Sequence, residues 1–139
     1  MLAREARALV VALDASACAV SRALGDVLVM VAEYVGERAT LQIGAGYLIS
    51  DYPLTKEALE RRESRTISLD DPDADPDEAA LLRELDYRSL VMLPLLANGQ
   101  VWGLVEVYRD DDRPFSPPEV ARAEERVRVL GGELESMLD

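Results

Sequence analysis

Residues 87–119 read YRSLVMLPLLANGQVWGLVEVYRDDDRPFSPPE. Residues 90–96 form an almost unbroken apolar run that carries Pro94, and residues 101–108 form a second that contains Gly103. Both are too short for separate globular helices and are rich in Val and Leu, which predicts buried strands. Between them lies Ala97-Asn98-Gly99-Gln100, whose Asn-Gly tolerates the positive φ angles of a tight hairpin turn. The two strands are therefore expected to be adjacent, antiparallel and covered on both faces. Beyond a turn, Phe115-Ser-Pro-Pro-Glu opens a long helix, with Ser116 as N-cap and Glu119 three residues on, in capping-box spacing.

Upstream, Leu2, Ala6, Leu9, Val10 and Leu13 recur at helical spacing and predict an amphipathic first helix. Residues 16–24 and 27–35 read as a hairpin around Gly25-Asp26. Residues 36–46 read as irregular, with a helical turn at 37–41. A short strand at 47–50, a helix at 54–61 started by Pro53, and a strand at 64–69 follow. An acidic loop, Asp70-Asp-Pro-Asp-Ala-Asp-Pro-Asp-Glu, leads to a helix at 78–85 capped by Asp77. The pattern predicts a single α+β domain over 1–139, with a central antiparallel sheet of about five or six strands and helices on both faces.

With 139 residues, 49% hydrophobic and 30% charged, the chain suits one globular core and leaves no room for a second domain. Its formal net charge of −12 disfavours nucleic acid and anionic membrane as partners, because both require a basic footprint. No apolar run approaches the roughly 20 residues that span a bilayer, and charges interrupt the N-terminus where a secretory signal would lie. A cytoplasmic location is the expectation. The single cysteine, Cys18, excludes an intramolecular disulfide. The absence of histidine removes the commonest general base, haem ligand and zinc ligand together. No nucleophile–base pair or metal constellation stands out, so the chain is not expected to be an enzyme.

The order of elements resembles the GAF domain, the small-molecule-sensing module of bacterial signalling proteins such as diguanylate cyclases and sensor kinases. The residues that carry this are Ser89-Leu90, Leu93-Pro94-Leu95, Asn98-Gly99, Gly103-Leu104-Val105 and Phe115 to Glu119, with Tyr47-Leu-Ile-Ser-Asp-Tyr-Pro-Leu-Thr and Ala58-Leu59 upstream. The resemblance implies a GAF/PAS-like fold, an unidentified small organic ligand held beside the sheet, and an output domain attached in a longer protein. It places Tyr47, Tyr52, Met92 and Trp102 near the ligand cavity, where aromatic walls would suit a flat ring; ordinary packing explains each of them equally. Methionine-sulfoxide-reducing relatives need several cysteines and bilin-binding relatives use a Cys near a His, so neither activity fits. Cyclic-nucleotide relatives carry Asn-Lys…Phe…Asp-Glu, where this chain has Tyr108-Arg109…Phe115…Glu119-Val120. Phe115 agrees, and Arg109 with Glu119 would replace the lysine–aspartate clasp.

Glu106 stands inside an apolar strand, where a carboxylate is costly unless paired. It faces a ligand, pairs with Arg88 or Arg109, or points outward at an edge. Asp73, Asp75, Asp77 and Glu84 have calcium-loop spacing, but Glu78 occupies the position that requires glycine, so a solvated loop is expected. Cys18 reads as a small buried hydrophobe. Val120, Ala123, Val127, Leu130, Leu134 and Met137 repeat in 3-4-3-4-3 spacing, as in a coiled-coil seam. The first half of this stripe either covers the domain's own sheet or pairs subunits. Val127, Leu130, Leu134 and Met137 are the expected homodimer interface, with the last helix passing the signal onward. The alternative function is a structural dimerisation module without a ligand. Gly131-Gly132 weakens the helix and is expected where the sheet or a partner helix approaches closely.

Overall fold

The computed structural model describes residues 1–36 and 44–138; the turn expected at 37–41 lies outside them. The chain runs α1 (Leu2–Ala12), β1 (Ala17–Leu24), β2 (Val27–Val35), β3 (Gly46–Leu48), a short 3₁₀ turn (Ile49–Asp51), α2 (Pro53–Arg61), β4 (Arg65–Ser68), α3 (Pro76–Leu85), β5 (Ser89–Ala97), β6 (Gln100–Arg109) and α4 (Pro117–Leu138). The six strands form one antiparallel sheet in the order β3-β2-β1-β6-β5-β4. β5 and β6 are adjacent and neither is an edge strand, as their unbroken apolar character requires.

Two cores flank the sheet. On one face α1 and α4 bury Leu9, Leu13, Val127 and Leu130 against Val20, Leu93, Val105 and Val107. On the other, α2 and α3 bury Ala58, Leu59, Ala79 and Leu82 against Leu28, Met30, Leu90 and Leu104. Side chains alternate between faces along each strand, and two bulges reverse that alternation. Val31 is the extra residue of β2 opposite Val20 and Ser21, and Trp102 is the extra residue of β6 opposite Leu95 and Leu96.

The predicted capping box forms: the Ser116 N–H donates to Glu119 Oε1 at 2.9 Å, and the Glu119 N–H to Ser116 Oγ at 3.4 Å. Two boundaries differ from expectation. α3 begins earlier, at Pro76, and its cap is Asp75, whose Oδ2 accepts from the Glu78 N–H at 3.1 Å. Proline favours the first helical position, which leaves Asp77 inside the first turn. The strand expected at 47–50 ends at Leu48, because the chain closes a 3₁₀ turn pinned by Asp26, which accepts from the Ser50 N–H and hydroxyl.

Gly103 is needed because the neighbouring strand β1 approaches it closely. A Cβ there would lie 2.0 Å from the backbone oxygen of Ser21. At Gly131 a Cβ would lie 2.3 Å from the backbone oxygen of Leu96, so α4 sits directly on β5, whereas Gly132 has open space. Gly103→Val is expected to cost at least the upper end of the roughly 1–3 kcal/mol range for overpacking, and Gly131→Ala a value within it. Gly132→Ala should gain about 1 kcal/mol from helix propensity. Urea midpoints of the three variants test this; an unshifted Gly103→Val, or equal shifts for the two helix glycines, would contradict the packing described.

Candidate functional site

A cavity opens on the α2–α3 face of the sheet. Leu28 and Met30 of β2 and Glu106 and Tyr108 of β6 form its floor; Tyr47, Leu48, Ile49 and Tyr52 form one wall; Thr55 of α2 and Glu78, Leu81 and Leu85 of α3 form the other. Strand alternation after the Trp102 bulge turns Leu104, Glu106 and Tyr108 to this face. Tyr47 and Tyr52 meet edge to face, with ring centroids 6.2 Å apart. The space, including its mouth, is about 470 Å³, but the walls stand so close that little of it is wide enough for a water molecule. It is therefore a slot for one or two waters in this conformation, and a larger occupant requires the tyrosine wall to move outward.

Two acidic side chains line this slot. Glu78 is 1% exposed and accepts a hydrogen bond from the Thr55 hydroxyl. Glu106, half-buried, accepts from the Tyr108 hydroxyl at 3.2 Å. Neither belongs to any ion pair formed among the described residues. Burial, then the like charge of Glu78, pushes the Glu106 carboxyl up to about 8, against the pull of the Tyr108 hydrogen bond. Burial also raises Glu78, partly offset by Thr55. The phenols of Tyr47 and Tyr108 are raised by burial and by Glu106, and that of Tyr52 by burial and by Glu78. Such a site favours groups that donate hydrogen bonds or bring positive charge.

Of the predicted ligand residues, the fold brings Tyr47, Tyr52 and Glu106 together. Met92 lies beneath them, fully buried, with its sulfur 3.7 Å from Thr55 Oγ1. Trp102 is turned away: its bulge places it against the α1–α4 core, under the Arg22 guanidinium at 5.0 Å from the ring centroid. A one-residue slip in a strand reverses the face of every side chain beyond it. Neither arginine weighed as a partner for Glu106 serves that role. Arg88 pairs with Asp70 and Arg109 with Glu119. Thr55, Glu78 and Tyr108 were missed. Glu78 had a signal, since it precedes Leu82 and Leu85 by four and seven residues, the spacing of one helix face.

Cys18 is fully buried on the opposite face, and burial followed by the charge of Glu106 pushes its thiol far up, so it is an unreactive hydrophobe. Val127, Leu130 and Leu134 do not form a free seam: all three are buried against the domain's own sheet. The helix lies along β5 further than expected because Gly131 lets it approach, and only Met137, 68% exposed, remains available. No helix among the described residues is long and apolar enough to cross a membrane.

A sequence profile described as GAF domain matches residues 1–134. No curated protein matches the sequence. Among solved structures, the phycocyanobilin-bound GAF domain from a cyanobacterial phytochrome is similar, with TM-score 0.83 and 17% identity over 96% of this chain and 82% of that one. The GAF domain of a two-component sensor histidine kinase from Bacillus halodurans gives TM-score 0.77 and 18% identity over 99% of this chain and 95% of that one. The chromophore-binding domain of Stigmatella aurantiaca bacteriophytochrome gives TM-score 0.78 and 18% identity over 95% of this chain. The chain spans only 52% of the Stigmatella structure.

Proposed function

Since this chain belongs to the GAF domain family, we propose that it is a regulatory sensor domain that takes a small organic molecule into the slot between Tyr47, Tyr52, Glu78 and Glu106. The observation that carries this reading is the pair of acidic side chains, with no counter-ion among the described residues, in a site walled by aromatic and aliphatic groups. An acidic side chain held away from water without a charged partner either buries its charge at a cost or keeps its proton, and a ligand that supplies positive donors offsets that cost. The bilin of the phytochrome neighbours does not transfer: Cys18 lies behind the sheet, histidine is absent, and the slot is far too narrow for a tetrapyrrole.

Binding would push the Tyr47–Tyr52 wall and α3 outward and bias the sheet, whose opposite face carries α1 and α4, the helices that would lead to an output domain. Pairing of subunits would use what those helices leave exposed, namely Val11 of α1 and Val129, Met137 and Leu138 of α4. A cytoplasmic homodimer without enzymatic activity completes the proposal. Sedimentation of the wild type against Val129→Glu with Met137→Glu tests the pairing; a wild type that is monomeric at high micromolar concentration would remove it.

The narrowness of the slot favours a second reading, a ligand-free dimerisation module. A fragment library observed through the methyl resonances of Met30 and Ile49, which line the slot, separates the two. Sensing predicts hits that shift both methyls and disappear when Leu28→Trp fills the floor. If no fragment shifts them, the structural module is the correct reading.

A further inference from the structure

The sensor reading leaves the ligand's chemistry open, and the slot limits it. Glu78 reaches in from α3 and Glu106 from β6, on facing elements. Thr55 supplies the donors to the first and Tyr108 the one to the second, all from neutral groups. No arginine or lysine among the described residues neutralises either. The remaining lining is aromatic or aliphatic, with Tyr47 and Tyr52 set edge to face.

Resting on that reading, we propose that the slot takes a small, flat organic cation, with its charged N–H donors between Glu78 and Glu106 and its ring against Tyr47 and Tyr52. An anion would meet two acidic side chains and, among the described residues, no cation. A neutral ring would release no proton from Glu106 and would gain nothing from the negative charge the two acidic side chains can present. A delocalised cation such as an amidinium or guanidinium offers several N–H donors in one plane, enough to serve two carboxylates at once, while its flat body suits an aromatic wall.

Binding of this kind is coupled to protons. Glu106 is hydrogen-bonded to Tyr108 on its own strand and feels the charge or titration of Glu78 of α3, Tyr47 of β3 and, across the sheet, Cys18 of β1; none of these carries positive charge. Without a ligand Glu106 holds its proton up to about pH 8, and a cation must displace it. Affinity should therefore rise with pH below about 8 by up to tenfold per unit, and level off above.

The probes are benzamidine, which stays cationic across this range, neutral benzamide and anionic benzoate, each titrated into the wild-type domain by calorimetry and followed at the Met30 and Ile49 methyls. The expected result is benzamidinium bound at least tenfold tighter than benzamide, no benzoate binding, proton release at pH 7, and loss of the cation preference in Glu106→Gln. Glu78→Gln should lower the same preference, which keeps the test alive if one variant is poorly folded. Equal binding of benzamide, or tighter binding of benzoate, would overturn the cation assignment and leave the slot a binding site. If none of the three shifts the methyls while other fragments do, the cation assignment fails and sensing stands. If nothing shifts them, both fail.

Discussion

Glu106→Gln is expected to stabilise the domain by about 4 kcal/mol at pH 9 and to change it little at pH 4. In the folded chain the Glu106 carboxyl is pushed from 4.5 to about 8, mainly because the slot it lines with Met30, Tyr47, Tyr52 and Tyr108 strips water from a half-buried group. Its folded-state affinity for the proton therefore exceeds that of the unfolded chain. The sign follows: this stability is fully present below about pH 4.5 and is lost as pH rises through about 8. At about 1.4 kcal/mol per pH unit the loss approaches 4–5 kcal/mol. A glutamine keeps an acceptor for the Tyr108 hydroxyl and has no charge to bury. Urea melts of both proteins at pH 4, 7 and 9 provide the check, and their difference removes the general repulsion that a net charge of −12 adds to each. Parallel pH profiles for the two would show that Glu106 is well solvated, and the proposed site would lose its basis.

That carboxylate also shows how far the sequence carries. An acidic residue in an otherwise apolar strand is visible by inspection, and with Tyr47 and Tyr52 it marked three members of the slot. The turn at Asn98-Gly99, the capping box at Ser116 and the apolar runs of β5 and β6 were equally legible, because each depends on neighbours close along the chain. What failed depends on contacts between distant segments. The bulge that turns Trp102 away arises from pairing with Leu95 and Leu96, and no local pattern announces it. The heptad of α4 is real, but a stripe that covers a sheet and one that pairs helices have the same period. Close approach of Gly131 to Leu96 decides between them for Val127, Leu130 and Leu134. Glu78 was hidden by its company, since five aspartates precede it within nine residues and the segment reads as solvent-facing. Its place on the buried face of α3 is set by Pro76 and the Asp75 cap.

Arg109→Met is expected to destabilise the domain by roughly 3–5 kcal/mol. Arg109 is 2% exposed and ties together the points where both terminal helices meet the sheet. Its guanidinium donates to Glu119 in the first turn of α4, to the backbone oxygen of Leu13 just after α1, and to that of Pro114 at 3.2 Å, and it stacks over the Phe115 ring at 4.2 Å. Methionine fills similar space but leaves Glu119 and two carbonyls without their charged donor. Pairing with Arg109, reinforced by the Ser116 N–H and hydroxyl, holds the Glu119 carboxyl down at about 2. A depressed carboxyl contributes stability that is present above about pH 4.5 and lost as pH falls through about 2, here about 3 kcal/mol. The wild type should therefore weaken in acid through Glu119 and in alkali through Glu106, with greatest stability near pH 5. In Arg109→Met the acid loss should shrink sharply, and adding Glu119→Leu should recover part of the damage, because it removes the stranded charge. Urea melts from pH 2 to 6 on the two single variants and the double variant measure all three effects. If the double variant were as unstable as the sum of the singles, Arg109 would be acting through Leu13 and Pro114 alone. In that case the junction of α1 with the sheet, and not the ion pair, would be what fastens the terminal helices to the sheet.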